Sequence, residues 1–348
     1  MSNISFGYLA CNETPSGTGE SHAALWDEIV AEAEQLESSD FDSFYLTEHH
    51  QQETGYWPSL LVPLAGVAAH TETLELGTHI QILPLYHPSY VAEAGTLLDI
   101  ISDGRFTLGV GVGDSPEDFE TRNIEFYPER ISRFEEALQV LPRLWTETDV
   151  KHFGKNFELN GVTITPTTVQ EPRPPIHLAG WSHVGAERAA RLGDGITLDP
   201  LHSVTALSRI IETYEEACER YGKDGYISMS RESWIHDGTE GDAESRWKQE
   251  VMHPHRFYFD INAYNGNIEP EIYERYDSPE DLNFDSMQEG RFVYGSPDEC
   301  VAEIEKYLEL GVDEVILRMR YAEAPSHEAT MDAIERFGDE VIPHFRAQ

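Results

Sequence analysis

The residues best suited to chemistry lie in a few short stretches. Thr47-Glu48-His49-His50 ends a β-like run and carries two adjacent imidazoles. Neighbours on an extended chain point to opposite sides, so one of the two can face a cavity and act as acid or base near neutral pH. The alternative is a histidine pair hydrogen-bonded to loop backbone. A metal pair is disfavoured, because adjacent side chains diverge and the segment has neither His-x-His nor His-x3-His spacing. Leu108-Gly109-Val110-Gly111-Val112-Gly113 strips one face of a strand of side chains, which lets a flat ring approach the backbone or accommodates a bulge. As a dinucleotide fingerprint it fails, because the third glycine comes one residue early and no helix opens directly after it.

His177-Leu178-Ala179-Gly180-Trp181-Ser182-His183 runs from a strand into a helix, with Ser182 at an N-cap position. Free N–H groups and the helix dipole there suit an anion, although ordinary capping explains the serine equally well. Arg130, in Pro128-Glu129-Arg130, opens another helical stretch and is either a cationic clamp or a surface arginine. In Thr78-His79-Ile80 the histidine either buttresses a ring on the glycine strand or is a satisfied core residue.

Those stretches need elements to hold them. A β-like run followed by a helical pattern recurs eight times: 4–10 with 21–37, 41–47 with 58–70, 74–83 with 89–101, and 105–111 with 128–146. The series continues with 176–179 and 183–192, 195–198 and 203–221, 226–235 and 298–310, and 314–319 and 328–345. The runs are rich in Val, Ile, Phe and Tyr without strict alternation, as strands buried on both faces are. Leu25, Ile29, Ala33 and Leu36 mark one helix face, and Pro58 suits a first helical turn. The class is α/β and the expected fold a (βα)8, or TIM, barrel over 1–348, with a doubly wound sheet as the alternative. Two stretches break the repeat. Residues 151–168 alternate around Asn160-Gly161 and read as a hairpin. Residues 238–291, after the seventh strand, hold His253, His255, Phe257, Tyr258, Phe259 and Tyr264 and read as a long insertion with helices and a lid role.

Composition narrows the partners. The chain has 348 residues, 64 Asp+Glu against 24 Lys+Arg, and a formal net charge of −40. That field repels phosphate backbones and anionic membranes, so neither nucleic acid nor membrane is an expected partner. The acids are spread along the whole length, and only five of the basic residues are lysines, which suggests a halophilic setting. Cys11, Cys218 and Cys300 lie far apart, without metal-ligand spacing, and fit a reducing compartment. No window holds the roughly 18 apolar residues of a membrane span, and the first residues carry no signal-like pattern, so a soluble cytoplasmic protein is expected.

Phe41-Asp42-Ser43-Phe44-Tyr45-Leu46-Thr47-Glu48-His49-His50 resembles the second-strand signature of the bacterial luciferase-like flavin monooxygenases. Leu76-Gly77-Thr78, Leu83-Pro84, His87-Pro88, Leu98-Asp99 and Ser102-Asp103-Gly104-Arg105-Phe106 continue that family's pattern in order. Ala189, Arg191-Leu192-Gly193-Asp194-Gly195, Tyr294-Gly295-Ser296-Pro297 and Gly311-Val312-Asp313-Glu314 extend it over nearly the whole chain. The resemblance implies a (βα)8 barrel that binds reduced FMN, or an 8-hydroxy-5-deazaflavin, at its C-terminal face. It makes His49 the catalytic histidine and places Gly109, Gly111 and Gly113 under the flavin ring. His79 and Ile80 take the position of a non-proline cis peptide that bulges against the ring. Gly180, Trp181, Ser182 and Arg130 would hold the phosphate. Val112 and Gly111 stand where luciferase proper has a second phosphate arginine and a cysteine, which argues against light emission.

The expected function is a monooxygenase that uses reduced FMN and O₂ on a small, apolar organic substrate. Trp57 and the insertion's aromatics would line the pocket, a separate flavin reductase would supply the cofactor, and a homo-oligomer is expected. A deazaflavin-dependent hydride-transfer oxidoreductase is the alternative. A non-catalytic flavin-binding protein, and a metal hydrolase using His49, His177 and Asp199, are further ones.

Overall fold

The β-like runs become eight parallel strands: β1 (Ser5–Leu9), β2 (Ser43–Leu46), β3 (Glu75–Thr78, resuming at Gln81–Ile82), β4 (Phe106–Gly111), β5 (Ile176–Ala179), β6 (Gly195–Leu198), β7 (Ile227–Ile235) and β8 (Glu314–Arg318). They are seen in a computed structural model, which describes residues 4–15, 21–236, 241–264 and 268–346. Each strand pairs with the next; β7 lies between β6 and β8, and Phe6 of β1 sits opposite Val315 of β8. The sheet therefore closes into a barrel, which excludes the doubly wound alternative. Every position of β2, β4, β6 and β7 is buried, because helices cover the outside and side chains fill the inside.

The covering helices are α1 (His22–Ser38), α2 (Leu61–Ala68), α3 (Pro88–Ile101), α4 (Phe126–Thr146), α5 (His183–Leu192), α6 (Val204–Tyr221), α7 (Pro297–Glu309) and α8 (His327–Glu340). Serine begins many of them. Ser21, Ser182, Ser203 and Ser326 each accept a first-turn N–H, at about 1 kcal/mol apiece. Leu25, Ile29, Ala33 and Leu36 form the buried face of α1, each large side chain contributing about 1.5–3 kcal/mol. Among the described residues no helix is long and apolar enough to cross a membrane.

Several boundaries differ from the sequence expectation. The second helix starts at Leu61 and leaves Pro58 in the preceding loop. The third strand is interrupted at His79 and Ile80. The last helix ends at Glu340, and a short helix, Ile342–Arg346, follows it. The hairpin pairs Val150–Phe153 with Glu158–Val162, so it turns at 154–157 and Asn160-Gly161 lies inside the second strand, at a bulge. Glu136 of α4 causes this: its carboxylate accepts the N–H groups of Asn156 and Phe157 and the Asn156 side-chain amide.

After β7 come helices Asp242–Glu250, Met252–Asp260, Glu271–Arg275 and Phe284–Met287, in place of the simple connection other units have. Within 238–291, residues 238–240 and 265–267 lie outside the described residues. Trp247 is fully buried here and stacks between Trp234 of β7 and Tyr294, joining the insertion's core to the barrel's.

The barrel floor holds a buried acid. Glu314 accepts hydrogen bonds from the Ser43, Tyr45 and Tyr226 hydroxyls. Burial outweighs those bonds and pushes its carboxyl up to about 7. Between pH 4.5 and 7 the folded chain thus holds a proton that the unfolded chain has released, and this group's stabilisation is lost as pH rises through that window. Glu314→Gln is expected to remove that loss, so that the urea midpoint of the variant declines less than wild type from pH 4.5 to 7; parallel declines would contradict it.

Candidate active site

The C-terminal ends of the strands build the site. Leaving β2, Glu48, His49 and His50 take three directions. Glu48 is 2% exposed and is a hub: it accepts the Ile82 N–H at 2.8 Å and the Tyr86 hydroxyl, and lies 2.6 Å from Nε2 of His50. His50 also meets Arg122 at 3.2 Å, so it is the structural member of the pair. His49 turns the other way, half-buried, with its ring 4.6 Å from that of Tyr56. Burial lowers its pKa from the ordinary 6.5, and Arg318 reinforces this against the opposing pull of Asp114. His49 is therefore neutral at pH 7, able to accept one hydrogen bond and donate another.

The third strand supplies the next piece. Gly77 pairs with Thr107, whereas Gln81 pairs with Val110, so four steps along β3 match three along β4. The extra residue bulges inward, and the His79–Ile80 peptide within it is cis. The glycines of β4 answer to this bulge. A Cβ on Gly109 would lie 1.9 Å from the Thr78 carbonyl oxygen, and one on Gly111 would lie 2.5 Å from the Ile80 side chain. Gly113, at φ +74°, would meet Ile82 and Phe119. The face expected to be bare is thus already filled, and Ile80, not the glycines themselves, is the surface left for a ring. His79 is half-buried, 3.2 Å from the Thr197 hydroxyl, and burial lowers its pKa to about 4.

At the start of α5, the Ser182 hydroxyl accepts the Gly185 N–H. The close approach of Gly185 to Gly180, where a Cβ would sit 3.1 Å from Gly180 Cα, lays the first turn against the end of β5. The N–H groups ahead of Gly185 have no intrahelical acceptor, as in any helix. Helix α4 runs alongside, tied to α5 by Glu135 with Arg188 and Arg191. Arg130, in the first turn of α4, donates to the Gly113 carbonyl at 2.7 Å and packs on Phe126 and Tyr127. Trp181 faces the insertion, edge to face with Tyr258 at 5.8 Å.

Trp57, expected in the substrate pocket, has its ring 6.3 Å from that of Trp26 of α1. Adjacent residues diverge, so Tyr56 is the one that reaches His49. The mouth also carries charge. Arg318, ending β8, lies over the Tyr321 ring at 4.4 Å, and its Nη2 approaches the Tyr56 hydroxyl at 3.4 Å. Glu232 of β7, 1% exposed, stands 3.9 Å from Arg318 and accepts the Tyr321 hydroxyl. Glu13 and Asp114 act electrostatically on Tyr56 and His49 respectively. Sequence reasoning missed Arg318, although a charge at the C-terminal end of a barrel strand is itself a signal. His177 lies apart, stacked on Tyr226 at 4.8 Å, while Asp199 is engaged by His202. Among the described residues no three His, Cys, Asp or Glu side chains gather to hold a metal.

The model of the luciferase-like monooxygenases matches residues 4–314. The chain belongs to the luciferase-like monooxygenase family. Within that family it is 25% identical to an F420-dependent glucose-6-phosphate dehydrogenase of Amycolatopsis mediterranei, over 92% of this chain and 95% of that one. It is 23% identical to the oxygenase component of a flavin-dependent trigonelline monooxygenase of Acinetobacter baylyi, over 92% and 90%. Its fold superposes on the monooxygenase RslO1 of Streptomyces bottropensis with a TM-score of 0.81 and 26% identity, over 98% of this chain and all of that one. Luciferase-like enzymes thus include both flavin- and F420-dependent oxidoreductases, and this chain is one of that class.

The glycine-dependent bulge can be tested without cofactor. In this luciferase-like barrel, Gly109→Ala drives a Cβ into backbone and is expected to cost about 2–3 kcal/mol. Gly111→Ala meets only the movable end of Ile80 and is expected to cost roughly 1 kcal/mol. Thermal denaturation that ranks the two variants the other way would contradict this account of the strand.

Proposed function

We propose that this chain is an oxidoreductase that uses reduced FMN and O₂ to oxidise a small organic substrate at the barrel mouth. The observation that carries the reading is a neutral, half-buried imidazole, His49, facing the same mouth as the Ile80 bulge. The residues present suit a flavin. Ile80 offers an apolar platform, and the first turn of α5, with the Ser182 O–H, offers donors to a phosphate. Arg130 adds a cation at the adjoining helix start, and its Nε is buried without a partner. Reduced flavin, once bound, would supply the electrons for O₂ chemistry. His49 would hold a proton or donate a hydrogen bond at the reacting oxygen, and Tyr56 fixes its ring. Trp181 and Tyr258 would exclude water from above.

A hydride-transfer reaction with a deazaflavin is the second reading. It is favoured by the charged mouth formed by Glu13, Asp114, Glu232 and Arg318, since hydride transfer does not demand a dry pocket. The F420-dependent relatives point the same way. The relative named as an oxygenase component supports a separate reductase as partner. The exposed apolar row Val62, Tyr90, Leu97 and Ile101 on α2 and α3 suits a homo-oligomer in a chain otherwise coated with acid. A net charge of −40 suits a medium of molar salt, which screens the self-repulsion.

Oxygen uptake in molar KCl with reduced FMN, set against anaerobic turnover with reduced or oxidised deazaflavin, separates the two readings. Retention of neither cofactor would defeat both. His49→Asn is expected to fold, to lower product formation by about 10²–10⁴-fold and to release more hydrogen peroxide. Because the neutral imidazole is the favoured form, wild-type activity should hold above pH 6.5 and fall only below it, and the variant should lose that acid limb. Arg130→Met is expected to weaken FMN binding more than riboflavin binding; equal losses would mean that Arg130 does not touch the phosphate.

A further inference from the structure

Most of the basic residues in this chain are arginines, and those in its interior are mostly spent on structure. Arg105 uses every nitrogen: Nε donates to Ser102, Nη1 to Thr71 and Leu74, and Nη2 to Ala68 and Thr71. Arg320 is held by Glu28 and Glu32. Arg318 differs. Its guanidinium carries five N–H donors, yet among the described residues it makes one long hydrogen bond, to Tyr56 at 3.4 Å, and one loose ion pair, to Glu232 at 3.9 Å. Glu232 Oε1 faces Arg318, while its Oε2 accepts the Tyr321 hydroxyl, so the carboxylate does not grip the guanidinium with both oxygens. The side chain is 17% exposed and opens on the mouth, and the Tyr321 ring beneath it fixes its plane.

We propose that Arg318 is the specificity-determining residue of this site and that the substrate carries a carboxylate. A planar guanidinium with unused parallel donors matches a carboxylate in two-point fashion. Its neighbours supply the rest of the complement: Tyr56 places the bound molecule beside His49, and Trp181 and Tyr258 offer flat apolar faces. In a protein of net charge −40 an anionic substrate needs one local, partly desolvated cation to overcome the surrounding field. Glu232 limits how strongly that cation pulls. This rests on the mouth being an oxidoreductase site, and it replaces the apolar substrate expected from sequence.

The test compares benzoate with benzamide, matched in shape and differing in charge. Each is titrated in molar KCl against the full chain with and without bound FMN, read by tryptophan fluorescence and by the flavin spectrum. Benzoate is expected to bind about tenfold more tightly than benzamide. Arg318→Met should abolish that preference while FMN binding stays within about twofold. Arg318→Lys should keep part of it, having charge without the fork. Glu232→Gln should strengthen benzoate by removing the competing carboxylate, which keeps the test decisive if Arg318→Met does not fold. Equal binding of acid and amide to wild type, or an unchanged preference in Arg318→Met, overturns the proposal. A benzoate preference without any flavin binding would instead leave the carboxylate site standing and remove the oxidoreductase reading.

Discussion

The mouth of this barrel depends on one close approach, that of the Thr78 carbonyl to Gly109. Two parallel strands normally run about 4.8 Å apart with side chains pointing out to alternate faces. Here β3 takes four steps to the three of β4, and the surplus has to go somewhere. It goes inward, because Gly109 and Gly111 leave no side chain to stop it. Ile80 is thereby lifted over the strand and His79 is turned toward Thr197. A bulge of this kind would drift unless its far end were tied. Glu48 ties it by accepting the Ile82 N–H on one side while holding His50 and Tyr86 on the other.

That tie also explains why two adjacent histidines have different fates. Glu48 and Arg122 consume His50, and the extended backbone then sends His49 the other way, toward Tyr56. Burial is the largest influence on the His49 pKa and lowers it; Asp114 pulls the other way and Arg318 adds to the lowering, so the net direction is down. The single glutamate thus positions the bulge and spares the imidazole from pairing. Structure and protonation state follow from the same side chain.

Much of the scaffold was legible because its signals are local. The boundaries of β5, α5 and β6 fall where the strand pattern and the Ser182 cap put them, since capping depends on residues within one turn. What was illegible depends on distant partners. The hairpin turns at 154–157 because Glu136, twenty residues earlier, captures those amides. The glycine strand could be read as an open platform or a bulge, and only the register of β3 against β4 decides between them. Tyr56 and Trp57 differ by one position, and the loop carrying them has no period from which to infer direction. Arg318 and Glu232 share their strands with other charged residues, Glu314 in β8 and Arg231 in β7, and which charge serves the mouth is ambiguous until its neighbours are known.

The charges of the mouth finally constrain one another. Glu232 is nearly inaccessible, and burial raises its carboxyl above the ordinary range, against the opposing pull of Arg318 and the Tyr321 hydroxyl. Burial likewise works against the charge of Arg318, yet Tyr56 and Glu232 hold it protonated. Neither group would be tolerated alone, since an isolated buried charge costs several kcal/mol. Together they are loosely matched and not closed into a tight pair, as the 3.9 Å separation records. A purely structural ion pair would shorten that distance and occupy both carboxylate oxygens on the guanidinium. One oxygen is given to Tyr321 instead, and the cost of the imperfect pair is accepted at the one place where a third group can complete it. A loosely matched, largely buried charge pair of this kind is what functional sites favour.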